Sequence, residues 1–250
     1  MMNRHLEEYS LNAWPALRTM VHEGWLLRLA EGYTKRSNSV QAIYGGCEQT
    51  VDWDRKIAYC EEQYAQAGLD TVFKITPFVP SGLDAKLADR GYMLLDPTSV
   101  RVLDRLDSIK IPTMSKATIE ETLTEGWLET MAGFNGTSDH GKAVTRKMLT
   151  GSPLTQGFCT LYADSVPVAC GLGVIEQGHV GLLDIVTDPN CRNRGYGEQL
   201  ILHILRWARE NGAARSYLQV VQNNAPAVRL YEKLGYEEIY TYWYRQKKLG

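Results

Sequence analysis

The chain has 250 residues, 44% of them apolar and 22% charged, with a formal net charge of -2. That length permits one large or two modest domains, each able to bury a core, and the near-neutral balance argues against nucleic acid or an anionic membrane as the main partner. No apolar run approaches the roughly 20 residues of a spanning helix, no apolar leader opens the chain, and five scattered cysteines lack metal-ligand or CxxC spacing, as expected of reduced thiols in a cytoplasmic protein with no metal.

Residues 6–20 read as opening helical structure interrupted near Pro15, and 24–30 as a strand. The polar stretch 31–40 reads as a solvated turn, or else as one whose Arg36 and Asn38 reach an acceptor site. A helix is expected over 52–67, a strand over 71–75, a helix over 81–90, and a further strand after Gly91-Tyr92. Residues 109–116, with Pro112, form the candidate linker. Helices are expected over 118–132 and 141–149, separated by the glycine-bearing stretch 133–140, which suits a mobile lid or a plain surface loop. Strands follow over 157–162, 166–175 and 180–186, the last two joined at Gln177-Gly178.

Thr187-Asp188-Pro189-Asn190 ends the third of these strands, and Arg192-Asn193-Arg194-Gly195-Tyr196-Gly197 leads into a helix whose apolar stripe is Leu200, Ile201, Ile204, Leu205, Trp207 and Ala208. Glycines at 195 and 197 let an anionic group approach the backbone, where orphan N–H groups and the positive end of the helix dipole await it. Arg192 and Arg194 add charge. The chemistry this predicts is phosphate or pyrophosphate binding. A strand over 216–221 and a helix opened by Asn224 and Pro226 and closed by Gly235 complete the stretch.

A constant offset of 144 residues relates Gly68 to Gly212, Gly91 to Gly235 and Tyr92 to Tyr236. This points to a tandem duplication, here divided as 1–108 and 109–250. In that register Arg192, Gly195, Gly197, Asn224 and Tyr231 fall on Glu48, Val51, Trp53, Pro80 and Leu87, so the first copy is expected to be degenerate.

R-x-x-G-x-G after a strand, followed a strand and a helix later by N-x-x-A-x-x-L-Y-x-x-x-G-Y, resembles the GCN5-related N-acetyltransferase (GNAT) superfamily over about residues 155–246. The resemblance implies an α/β fold of two tandem GNAT-like domains, each a mixed twisted sheet flanked by helices. It implies acetyl-CoA as co-substrate and acetyl transfer to a primary amine, on a small molecule or a peptide, by direct attack in a ternary complex. The strand residues Asp184 to Thr187 would bind the pantetheine arm, through Ile185, Val186 and Thr187, with a backbone N–H near Val186 facing the thioester oxygen. Arg192, Asn193, Arg194, Gly195, Tyr196, Gly197 and Glu198 would cradle the pyrophosphate, with Asn224 near it or capping its helix.

Tyr231 would donate to the departing thiolate, although its place on the Ala227, Leu230, Leu234 stripe equally suits core packing. A lysine-like amine is neutral in only about one molecule in 2,500 at pH 7, a cost of roughly 4.6 kcal/mol. A base is therefore needed, and Asp184 is the only ionisable side chain in the strand. Gln219 stands where some relatives carry a glutamate and cannot serve. A non-catalytic acyl-CoA sensor and an acyltransferase using another acyl-CoA are the alternatives, and either a monomer or a homodimer is compatible with the sequence.

Overall fold

The computed structural model describes residues 2–44, 52–114 and 116–250, with side chains from Arg4 onward. Cys47, Glu48 and Val51, the last two being the expected counterparts of Arg192 and Gly195, lie outside the described residues. In chain order the elements are α1 (Met2–Ala13), β1 (Arg18–His22), β2 (Trp25–Leu29), β3 (Val40–Gln41), α2 (Trp53–Gln66), β4 (Thr71–Ile75), α3 (Leu83–Asp89), β5 (Met93–Leu103), β6 (Ala117–Glu120), α4 (Glu125–Asn135), α5 (Asp139–Leu149), β7 (Thr155–Ala163), β8 (Val166–Glu176), β9 (His179–Thr187), α6 (Tyr196–Glu210), β10 (Arg215–Val221), α7 (Ala225–Lys233) and β11 (Glu237–Lys247). The architecture is α/β, and parallel pairs (β3 with β4, β9 with β10) mix with antiparallel ones.

Two compact units divide the chain, and their segments alternate along it. One takes residues up to Ala13, Val100–Val220 and Asn224–Ile239, and the other takes Trp14–Ser99, Val221–Asn223 and Tyr240–Gly250. Strands β5 and β11 each contribute residues to both.

In the first unit the strand order is β5-β10-β9-β8-β7-β6. The stripe of α6 buries Leu200, Ile201, Ile204, Leu205 and Ala208 against Val180 and Leu182 of β9 and Leu218 and Val220 of β10. Those four strand residues alternate with ones facing the other way, as the pleat requires. On the opposite face Trp127 of α4 meets Phe158 of β7 edge-on at 5.0 Å and donates its indole N–H to the Cys159 carbonyl at 3.2 Å. Helix α1 lies on this face too. Asn12 donates to Glu176 at 2.9 Å, the Tyr9 ring meets that of His179 at a tilt at 5.3 Å, and Gln219 of β10 donates to Ser10 at 2.7 Å.

The second unit orders its strands β1-β2-β3-β4-β11, and β4 pairs antiparallel with β11 from Ile75–Trp243 to Thr71–Lys247. Its core is aromatic: Phe73 meets Trp25 and Tyr92 edge-on at 5.7 and 5.6 Å, above Ile57, Leu83 and Leu87. Asn38 accepts from the Ala30 and Gly32 N–H groups at 2.7 and 3.1 Å and donates to the Tyr33 carbonyl at 2.7 Å, so its side chain organises its own turn. Arg36 lies over the Trp14 ring at 4.8 Å.

Three expectations about local structure change. Helix α1 stops at Ala13 before Pro15, and Arg18–His22 is a strand paired with β2. Residues 118–120, expected in a helix, belong to β6, which pairs with β7, because the β-branched Thr118 and Ile119 suit a ladder and Thr124 starts the helix by accepting from the Trp127 N–H at 3.3 Å. The stretch 133–140 is largely helical: α4 continues through Asn135 to a left-handed cap at Gly136, and Ser138 caps α5, leaving three residues between the helices. So short a connection is no lid.

The 144-residue offset extends to the elements. Shifted by it, β5 superposes residue for residue on the bounds of β11, while α2, β4 and α3 fall on α6, β10 and α7 to within two residues at either end.

Candidate active site

The site begins where two parallel strands separate. The ladder between β9 and β10 runs from His179–Arg215 to Leu182–Leu218 and stops, although both strands continue. Beyond it, Leu183 to Thr187 keep their partners in β8 on one side only. Backbone polar groups along the other edge are left for a ligand or water to satisfy. An extended chain with amides at intervals, such as pantetheine, is the complement of such an edge.

A bulge lies at the same place. Between the pairs Leu172–Leu183 and Cys170–Val186, two residues of β9, Asp184 and Ile185, oppose Gly171 alone. Asp184 takes a left-handed φ of +47°, costly for a residue with a Cβ; burial pushes the Cys170 thiol pKa up, and the Asp184 carboxylate adds to that rise. Glycine opposite gives the bulge room: a Cβ at Gly171 would come within 2.5 Å of Ile185 Cδ1, so the Ile185 side chain would have to shift. The bulge re-aims the Asp184 side chain, which is half-buried, and the N–H groups around Ile185 and Val186.

At the end of β9, the Asp188 carboxylate accepts from the Asn190 N–H at 2.8 Å and starts a short turn, Pro189–Cys191. Asn193 and Gly195 then adopt left-handed φ of 61° and 82°, and α6 starts at Tyr196. Gly195 is the N-cap and supplies no side-chain acceptor, so the first N–H groups of α6 have no side-chain cap. A Cβ at Gly195 would meet nothing within 4 Å, whereas one at Gly197 would meet Leu230 at 3.3 Å and Thr187 Oγ1 at 3.4 Å. Gly195 thus leaves open space before the helix, and Gly197 lets the helix approach β9 and α7. Arg192, Asn193 and Arg194 are exposed beside that space. An uncapped helix start, an open approach and two arginines fit a pyrophosphate.

Tyr196 and Glu198 are engaged within the protein. Tyr196 packs against the core beneath α6, and Glu198 forms an ion pair with Lys233, tying α6 to α7. Asn224 caps α7, accepting from the Ala227 N–H at 3.3 Å.

Tyr231 is 8% exposed and meets Tyr236 edge-on at 5.9 Å. The Tyr236 hydroxyl is bonded to Ser216 at 2.6 Å, but that of Tyr231 takes no hydrogen bond among the described residues. Burial pushes the Tyr231 pKa up to about 12. Against a thiol near 8.5, complete transfer of its proton to a thiolate is then uphill by about 5 kcal/mol. The hydroxyl is suited to donate a hydrogen bond that strengthens as negative charge grows on sulfur.

The sequence reading did not anticipate the part played by α1. Its Ser10 is held by Gln219, the first residue of β10 beyond the last pair with β9. Amphipathicity over 2–13 signals a helix, but nothing in the pattern says which sheet it covers. His203 instead bonds the Met114 carbonyl at 2.6 Å, and Gln199, one turn earlier, accepts from the Thr113 and Met114 N–H groups, so these two residues of the expected linker are fastened to α6.

A family model described as "Probable histone acetyltransferase Rv0428c C-terminal" matches residues 2–245. The chain belongs to this GCN5-related N-acetyltransferase family. It is 30% identical over 248 residues to the N-acetyltransferase YobR of Bacillus subtilis, covering 98% of each chain. Its fold is similar to that of a GCN5-related N-acetyltransferase from Kribbella flavida, with a TM-score of 0.71 at 16% identity, covering 98% of this chain and 95% of that one. A tandem GNAT protein from the clavulanic acid biosynthesis pathway is similar at a TM-score of 0.65 and 13% identity, over 85% and 75% of the two chains. The protein is an acyltransferase of the GNAT type, a class that draws its acetyl group from acetyl-CoA. Among the described residues no helix is long and apolar enough to cross a membrane, and no group of three or more His, Cys, Asp or Glu side chains could hold a metal ion.

Proposed function

We propose that the protein transfers an acetyl group from acetyl-CoA to a primary amine by direct attack in a ternary complex. The single observation that carries this reading is the coincidence, along β9, of the end of the β10 ladder, the bulge at Asp184 and the glycine turn into α6. The opened edge at Ile185, Val186 and Thr187 takes the pantetheine amides, and the turn Arg192–Gly197 takes the pyrophosphate. A backbone N–H near Val186 supports the oxyanion as the amine nitrogen attacks the thioester carbon. Asp184 receives the proton that the amine gives up, and Tyr231 donates a hydrogen bond to the sulfur as the carbon–sulfur bond breaks.

In this reading 1–108 and 109–250 are two copies of one GNAT-like design, of which only the second keeps the cofactor turn. The matching element bounds at the 144-residue offset support it. The acceptor is a small molecule or a peptide bearing an amine.

Titration with acetyl-CoA by calorimetry tests the cofactor half, with one site per chain expected. Release of CoA thiol across a panel of amines tests the transfer. Binding without release on any amine would favour the sensor, and faster release from succinyl- or propionyl-CoA would favour another acyl donor.

A further inference from the structure

Far from the cofactor turn, the first unit holds a second cavity that acetyl transfer does not use. It measures about 260 Å³ and lies beneath α1, at the first residues of β9 and β10, His179 and Arg215. Leu183, where the opened edge of β9 begins, is four residues away, or about 13 Å of extended chain. A free amino acid bound here does not span that distance.

The lining divides by chemistry. Leu6, Val102 and Ile239 make an apolar floor, and Tyr9 and His179, tilted against each other at 5.3 Å, make an aromatic wall. His5 adds a second imidazole, and Arg215 and Asp104 add opposite charges. Neither of these two side chains forms an ion pair or hydrogen bond among the described residues, with each other or with anything else. Nearby, Arg105 is bonded to Asp107 and Arg206 to Glu210. Asp104, His179 and Arg215 also line an adjoining cleft of about 490 Å³, which gives the cavity an entrance.

A guanidinium and a carboxylate, both uncommitted, above an apolar floor are complementary to a molecule that carries a carboxylate, an ammonium and a short hydrocarbon part. At roughly 30 Å³ per water, the cavity has the room of about nine waters. We propose that it is a binding site for a free α-amino acid with an aliphatic side chain, its carboxylate on Arg215, its ammonium on Asp104 and its side chain on Leu6, Val102 and Ile239. The site is separate from the acetyl-transfer centre, so its occupant is an effector and not an acceptor.

The test is calorimetric titration of the full chain with L-leucine, with 4-methylpentanoate and 3-methylbutylamine as probes that each lack one charge. Leucine should bind, and each single-charge probe should bind at least about tenfold more weakly. Arg215→Ala and Asp104→Ala should each weaken leucine binding by about tenfold or more at unchanged melting temperature, since both side chains are exposed. Gly195→Trp, in the cofactor turn, should leave leucine binding intact whether or not acetyl-CoA binds there. No heat with leucine at about 10 mM overturns the proposal, as does leucine affinity unchanged from the parent protein in both charge variants. Loss of leucine binding in Gly195→Trp also overturns it, because the amino acid would then occupy the transfer site.

Discussion

Helices α2 and α6 occupy equivalent places 144 residues apart, and their first turns have opposite chemistry. In α2, Asp52 caps the helix by accepting from the Arg55 N–H at 3.1 Å, and Asp54 follows in the first turn. Trp53, in the place of Gly197, stacks on Trp25 at 5.9 Å. An acid therefore already takes up a donor that an anion would need, and the indole of Trp53 is packed against the core. In α6 the cap is Gly195, with no side chain, an open approach and arginines alongside. The same contrast recurs at the next helix, where Leu87 is fully buried and its counterpart Tyr231 keeps a hydroxyl with no protein partner among the described residues.

The contrast breaks most completely with Gly195→Trp, which puts bulk where the pyrophosphate would lie. Acetyl-CoA affinity should fall by about a hundredfold or more by calorimetry, and unchanged affinity in a folded variant would remove the cofactor assignment. Asp184→Asn comes next, removing the only carboxylate of β9. Turnover under saturating acetyl-CoA should drop by about a hundredfold while affinity for acetyl-CoA holds.

Tyr231→Phe should lower turnover about tenfold or more without changing acetyl-CoA affinity. Because burial raises the Tyr231 pKa to about 12, the donor form persists well below that value. Turnover of the parent protein should therefore show no tyrosine-dependent decline between pH 7 and 10. A descending limb in that interval that vanishes in the Phe variant would contradict the assignment. The smallest effect belongs to Asn224→Ala, which removes the cap of α7. Stability should fall by about 1 kcal/mol, read as a lower melting temperature, with turnover little altered.

Much of the first unit was legible because its signals are local. The stripe of α6, the caps of α7 and the turn at Gly195 follow from spacing and from the conformations that glycine permits. The 144-residue offset was legible for the same reason, since helix-ending glycines recur wherever a helix must stop. The bulge at Asp184 was not, because an acid in an apolar run gives no sign that its backbone will turn left-handed until Gly171 is known to lie opposite. The short link between α4 and α5 was misread because Gly133 lies within a helix, where glycine is tolerated when the helix packs well.

By itself the sequence determined the helices and most strands, the glycine turn into α6 and the family. Tertiary structure alone decided where β9 and β10 part, that α1 covers the face holding Gln219, that Glu198 serves a helix–helix ion pair, and that Arg215 and Asp104 meet in one cavity 111 residues apart in the chain. The division follows from range: propensity, capping and periodicity act over one or two turns of chain. Strand partners, bulges and cavities depend on residues that only the folded backbone brings together.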